Sequence, residues 1–70
     1  MAEVKASMAG NVWKVMISEG DSVDSSQDVV ILESMKMEIP IAAEVTGTVK
    51  ELKVKEEDFV NEGDVIAIIE

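Results

Sequence analysis

The sequence repeats itself. Shifted by 37 positions, residues 1–33 lie on residues 38–70 without a gap. Ala6 meets Ala43, Gly10 meets Gly47, Val12 meets Val49 and Glu19 meets Glu56. Asp21 meets Asp58, Val23 meets Val60 and Glu33 meets Glu70. The apolar positions between them agree in phase: Val4 with Ile41, Val15 with Leu52, Ile17 with Val54, Val29 with Ile66, Ile31 with Ile68, and Leu32 with Ile69. Agreement in both identity and phase marks a duplicated unit. The chain therefore divides into units 1–33 and 38–70, joined by Ser34-Met35-Lys36-Met37. Neither unit could bury its apolar face alone, so the two are expected to pack on each other.

Each unit reads as strands. Val and Ile are abundant, turn residues recur at short intervals, and few helical stripes appear. A first strand alternates through Ala2, Val4, Ala6 and Met8, and its copy through Ile39, Ile41, Ala43 and Val45. A glycine follows (Gly10, Gly47), where a bend or a positive φ is expected. The second strand carries Val12, Val15 and Ile17, or Val49, Leu52 and Val54, and the step of three breaks the period of two in both units, as a β-bulge does. Polar turns follow at Ser18–Asp21 and at 55–58, and loops at 25–28 and Asn61–Asp64. The last strands, Val29–Leu32 and Val65–Ile69, are nearly all apolar, as expected of strands covered on both faces. The expected fold is all-β: a flattened barrel or sandwich with a pseudo-two-fold axis, its halves packed face to face. The joint then lies at one end and the termini at the other. With only Trp13 and Phe59 as aromatics, the core must be aliphatic. Trp13 is expected to be a packing residue rather than a ligand contact, because Lys50 stands at its place in the second unit.

Composition narrows the chemistry. A 70-residue chain with no Cys and no His has no disulfide, no thiolate or imidazole metal ligand and no Ser–His triad. The formal charge of −9, with all six basic residues lysine, argues against nucleic acid and anionic membrane surfaces. No apolar run is long enough to span a bilayer, and Met1–Lys5 lacks the apolar stretch of a signal peptide. A cytoplasmic monomer is expected. A Ser34–Lys36 dyad would need burial of the amine, which a hairpin tip does not offer. Glu56-Glu57-Asp58 lacks the spacing of a calcium loop and reads as a solvated turn.

The joint departs from local rules. Strands ending at Glu33 and starting at Glu38 imply a tight hairpin with Met35 and Lys36 at its tip. A type I′ turn needs φ > 0 at both central residues and favours Gly, Asn or Asp, so Met-Lys is a poor choice. Two methionines beside a lysine on an exposed tip are also unusual, although methionine serves elsewhere as a core gap-filler. Lys5, Lys14, Lys50, Lys53 and Lys55 read as ordinary solvated lysines. Lys36 differs in its place: its amine projects where another enzyme could modify it.

The run Glu33-Ser34-Met35-Lys36-Met37-Glu38 resembles the attachment motif of biotinyl domains, commonly Glu-Ala-Met-Lys-Met. Met8–Val15 is similar to the family's opening strand pair, Glu19–Val23 to its first turn, and Asn61–Asp64 to the loop before its last strand. The resemblance covers essentially all 70 residues as one biotinyl domain. It implies the barrel-sandwich hybrid, or hammerhead, of two pseudo-two-fold-related four-stranded antiparallel sheets. It implies a carrier, not an enzyme, with biotin joined covalently to Lys36 by biotin protein ligase. Met35 and Met37 would contact the ligase and partner sites, with Glu33, Ser34 and Glu38 contributing to recognition. The partners implied are biotin carboxylase and carboxyltransferase components. Lipoate is the alternative cofactor on the same fold, but lipoyl domains typically place Asp before the lysine and Ala after it. An unmodified interaction module is the rival of another class. Two departures stand out: Ser34 replaces the usual Ala, and Ser26 replaces a Gly that its repeat mate Gly63 keeps. No inserted thumb hairpin and no Pro/Ala-rich arm are present.

Overall fold

The computed structural model describes residues 1–70, all in strands, turns and loops, with no helix. No helix is therefore long and apolar enough to cross a membrane. The strands are β1 (Ala2–Lys5), β2 (Gly10–Val15), β3 (Ser22–Val23), β4 (Asp28–Ser34), β5 (Met37–Ala42), β6 (Gly47–Leu52), β7 (Phe59–Val60) and β8 (Val65–Ile69). They form two four-stranded sheets of order β1-β8-β6-β3 and β5-β4-β2-β7, antiparallel throughout. Moving each strand four places along the chain turns the first order into the second, which is the pseudo-two-fold relation. The result is a flattened barrel-sandwich of 31 × 18 × 18 Å.

The halves interlock rather than pack as separate layers. Each sheet takes two strands from each half, because the only pairs internal to a half are β2–β4 and β6–β8. The two-residue strands cross over: β3 pairs with β6 through Ser22↔Thr48, and β7 with β2 through Asn11↔Phe59. Main-chain bonds repeat the exchange, with Val49 N–H donating to Asp21 O and Val12 N–H to Asp58 O (2.8 and 2.7 Å).

The bulges occur in both halves. The β2–β4 register skips Trp13 and the β6–β8 register skips Lys50. This corrects the place expected for Trp13: the unpaired bulge residue turns outward, the indole is 42% exposed, and the Lys14 ammonium sits 5.0 Å from its ring centre. The first strands are also shorter than their alternation implies. Ala6 and Ala43 stay buried beyond the strand ends, whereas Val45 is exposed.

Fifteen buried residues make the core, all aliphatic, with no buried polar group. Leu32, Val29 and Val30 from β4 and Ile66 and Ala67 from β8 are its most enclosed members. Four similar turns hold the rim. In each, the fourth residue's side chain accepts from the first residue's N–H: Asp21 from Ser18, Gln27 from Asp24, Asp58 from Lys55 and Asp64 from Asn61 (2.9, 3.0, 3.0 and 2.8 Å). The third residue has positive φ, at Gly20 (92°), Ser26 (76°), Glu57 (79°) and Gly63 (89°). Ser26 thus keeps the loop shape of its glycine mate. Gly10 and Gly47 are not among the positive-φ residues. They are needed for close approach instead: a Cβ on Gly10 would lie 2.9 Å from the Glu33 carbonyl oxygen.

Candidate functional site

The hairpin β4–β5 carries the candidate site. Its register runs from Asp28↔Ala42 through Leu32↔Ile39 and Glu33↔Glu38 to Ser34↔Met37, leaving Met35 and Lys36 as the two loop residues. Both have left-handed backbones, φ 53° and 64°, the signature of a type I′ turn. For L-residues that region costs on the order of 1–2 kcal/mol each, so the paired strands hold the tip against its local preference.

The tip is open. Met35 is 90% exposed and Met37 59%. Lys36 is exposed and its ammonium makes neither a salt bridge nor a hydrogen bond, whereas Lys5 and Lys53 pair with Glu3 and Glu51. Glu33 and Glu38 are direct cross-strand neighbours, both in water. Ser34 is half-buried over Gly10, whose added Cβ would lie 3.4 Å from the serine Cβ. Small side chains on both strands thus let β2 support the base of the hairpin. The amine of Lys36 is in water with no bond to Ser34, so the pair lacks the burial that a nucleophilic dyad needs.

Glu38, Glu33, Asn11 and Phe59 form one row of neighbours across the outer face of this sheet. Phe59 is 61% exposed, and a groove of about 340 Å³ beside Glu33 is lined by Asn11, Val12, Trp13 and Glu57. Sequence reasoning missed Asn11, Trp13 and Phe59 as neighbours of the hairpin. A signal was present in the repeat: Trp13 faces Lys50 and Phe59 faces Ser22 under the 37-residue shift, so both break its apolar agreement. The symmetry also identifies the equivalent of the hairpin. It is the β8–β1 pair, where Ala2↔Ile69 brings the two chain ends together with no connecting turn.

A family model described as "Biotin-requiring enzyme" matches residues 2–69. The chain is 62% identical over 63 residues to the biotin/lipoyl attachment protein of Bacillus subtilis, covering 90% of this chain and 86% of that protein. It is 46% identical over 70 residues to the biotinylated protein TB7.3 homolog of Mycobacterium leprae, covering 99% of each. The Kluyveromyces lactis urea carboxylase crystal structure superposes with a TM-score of 0.90 at 32% identity, over 97% of this chain and 6% of that one. Two comparisons thus cover nearly the whole of small relatives, and the third a small part of a large carboxylase. The chain belongs to the family of biotin- and lipoyl-attachment domains.

Proposed function

We propose that the chain is a biotin carboxyl carrier, modified on Lys36. The observation that carries this reading is the unpaired, exposed lysine at the tip of a strained two-residue hairpin, in a member of this family. The site fits the group: a primary amine free of any ion pair can condense with the biotin carboxyl group to an amide, with loss of the lysine charge. When attached, biotin supplies the ureido nitrogen that carries the carboxyl group. The chain's own residues do the rest. The paired strands fix the anchor point, and tethering raises the effective concentration of the arm at each partner site. Met35 and Met37 offer soft apolar contacts to the ligase and to the carboxylase and carboxyltransferase components. Glu33, Glu38 and Ser34 frame them, and a net charge of −9 suits partners with basic rims. The chain itself catalyses nothing on this reading, and it works as a cytoplasmic monomer.

The test is attachment in vitro. Incubated with biotin protein ligase, ATP and biotin, the chain should gain one biotinyl group, and Lys36→Ala should gain none. Absence of the adduct, or its persistence in Lys36→Ala, overturns the proposal. A second reading is favoured by the name of the Bacillus subtilis relative, a biotin/lipoyl attachment protein. The same hairpin then also accepts lipoate. Lipoyl transfer to Lys36 without any biotinylation would reverse the order of the two readings.

A further inference from the structure

Five methionines are present in 70 residues, and their surroundings differ. Met8 is half-buried. Met1 is open, but its sulfur accepts the Lys50 ammonium at 3.3 Å, which draws on the lone pair an oxidant would use. Met16 is 52% exposed and lies past the end of β2, outside the hairpin. Met35, at 90%, is the most exposed large apolar side chain of the molecule, and Met37 at 59% stands two residues on. Neither sulfur has a hydrogen-bond partner, whereas that of Met1 does.

We propose that Met35 and Met37 form an oxidation-sensitive site that controls modification of Lys36, with a hydroperoxide as co-reactant. The inference rests on the carrier reading above. The thioether sulfur attacks the peroxide oxygen, an S–O bond forms, and the O–O bond breaks. The sulfur loses two electrons, and the peroxide leaves as water or an alcohol carrying its own proton. The product, methionine sulfoxide, is polar and chiral. It replaces two adaptable apolar contacts beside the reacting amine with strongly hydrated ones. Met35 should oxidise first and Met37 at about the rate of Met16, so partial oxidation already alters the tip.

The test treats the unmodified protein with graded hydrogen peroxide and maps each sulfoxide by peptide mass. The initial rate of biotin attachment by the ligase is then read. Expected are Met35 sulfoxide before Met16 sulfoxide and a fall of about tenfold or more in attachment rate when both hairpin methionines are oxidised. Methionine sulfoxide reductases acting on both epimers should restore the rate. Met16→Leu should keep the sensitivity. In Met35→Leu/Met37→Leu, the rate, whatever its starting value, should no longer respond to peroxide. Oxidation of Met16 ahead of Met35, an unchanged rate after hairpin oxidation, or failure of the reductases to restore it overturns the inference. Failure of the untreated protein to accept biotin contradicts instead the carrier reading.

Discussion

Four residues with side chains occupy the left-handed region: Ser26, Met35, Lys36 and Glu57. Two of them stand where the repeat offers a glycine at the equivalent place, Ser26 opposite Gly63 and Glu57 opposite Gly20. Relief of left-handed strain outweighs the added freedom of the unfolded chain, so Ser26→Gly should raise unfolding free energy by about 0.5–1 kcal/mol. A higher urea midpoint at unchanged slope would show it. Met35→Gly should stabilise by a similar amount for the same reason. It should also slow attachment of biotin, because the apolar contact beside Lys36 is lost; parallel denaturation and attachment assays separate the two effects. The poor fit of Met-Lys to a type I′ turn was legible in the sequence, since the turn type demands φ > 0 from residues that resist it. The outward place of Trp13 was not. The step of three from Val12 to Val15 implies a bulge, but not which residue the register skips, and only the strand pairing shows that Trp13 and Lys50 share that unpaired place.

At the scale of strands, the β4–β5 hairpin depends on β2. Gly10 lies against the Glu33 carbonyl, and its partner in the fold, Gly47, lies against the Glu70 carbonyl, with Cβ approaches of 2.9 and 2.5 Å. Gly10→Ala must push β4 away just below the lysine, at a cost of about 1–3 kcal/mol. Amide shifts in Glu33–Glu38 by NMR, larger than those in β8, would check where the displacement goes. The two glycines stood out in the sequence because they align under the repeat. Their role did not, because close approach between strands is a tertiary fact, while a bend is the local guess. The same limit explains the first strands. Alternation continued to Met8 and Val45, but β1 and β5 end at Lys5 and Ala42, beyond which Ala6 and Ala43 bond to the loops at Asp64 and Gln27 instead.

Over the whole molecule, one core serves both halves. Leu32 and Ile69 are equivalent under the repeat, come from different sheets, and are 0% and 1% exposed. Leu32→Ala and Ile69→Ala should each cost about 2–5 kcal/mol. Against the roughly 5–15 kcal/mol typical of a domain, either change should leave part of the population unfolded, seen as faster proteolysis. The duplication, the aliphatic core and the all-strand fold were readable because burial imposes a period that survives in each unit. The exchange of strands between sheets was not, because the apolar pattern is the same whichever half supplies the partner strand. That exchange leaves the hairpin and the chain ends as symmetry equivalents, one closed by Met35-Lys36 and the other open. On the proposed function, Lys36 is the one point of attachment. Its most direct test is site-resolved mass spectrometry of the chain taken from cells supplied with biotin. One biotinyl group on Lys36, with Lys5, Lys14, Lys50, Lys53 and Lys55 unmodified and no adduct in Lys36→Ala, is the expected result. Biotin on another lysine, or an unmodified Lys36 in cells that biotinylate their other carriers, would contradict it.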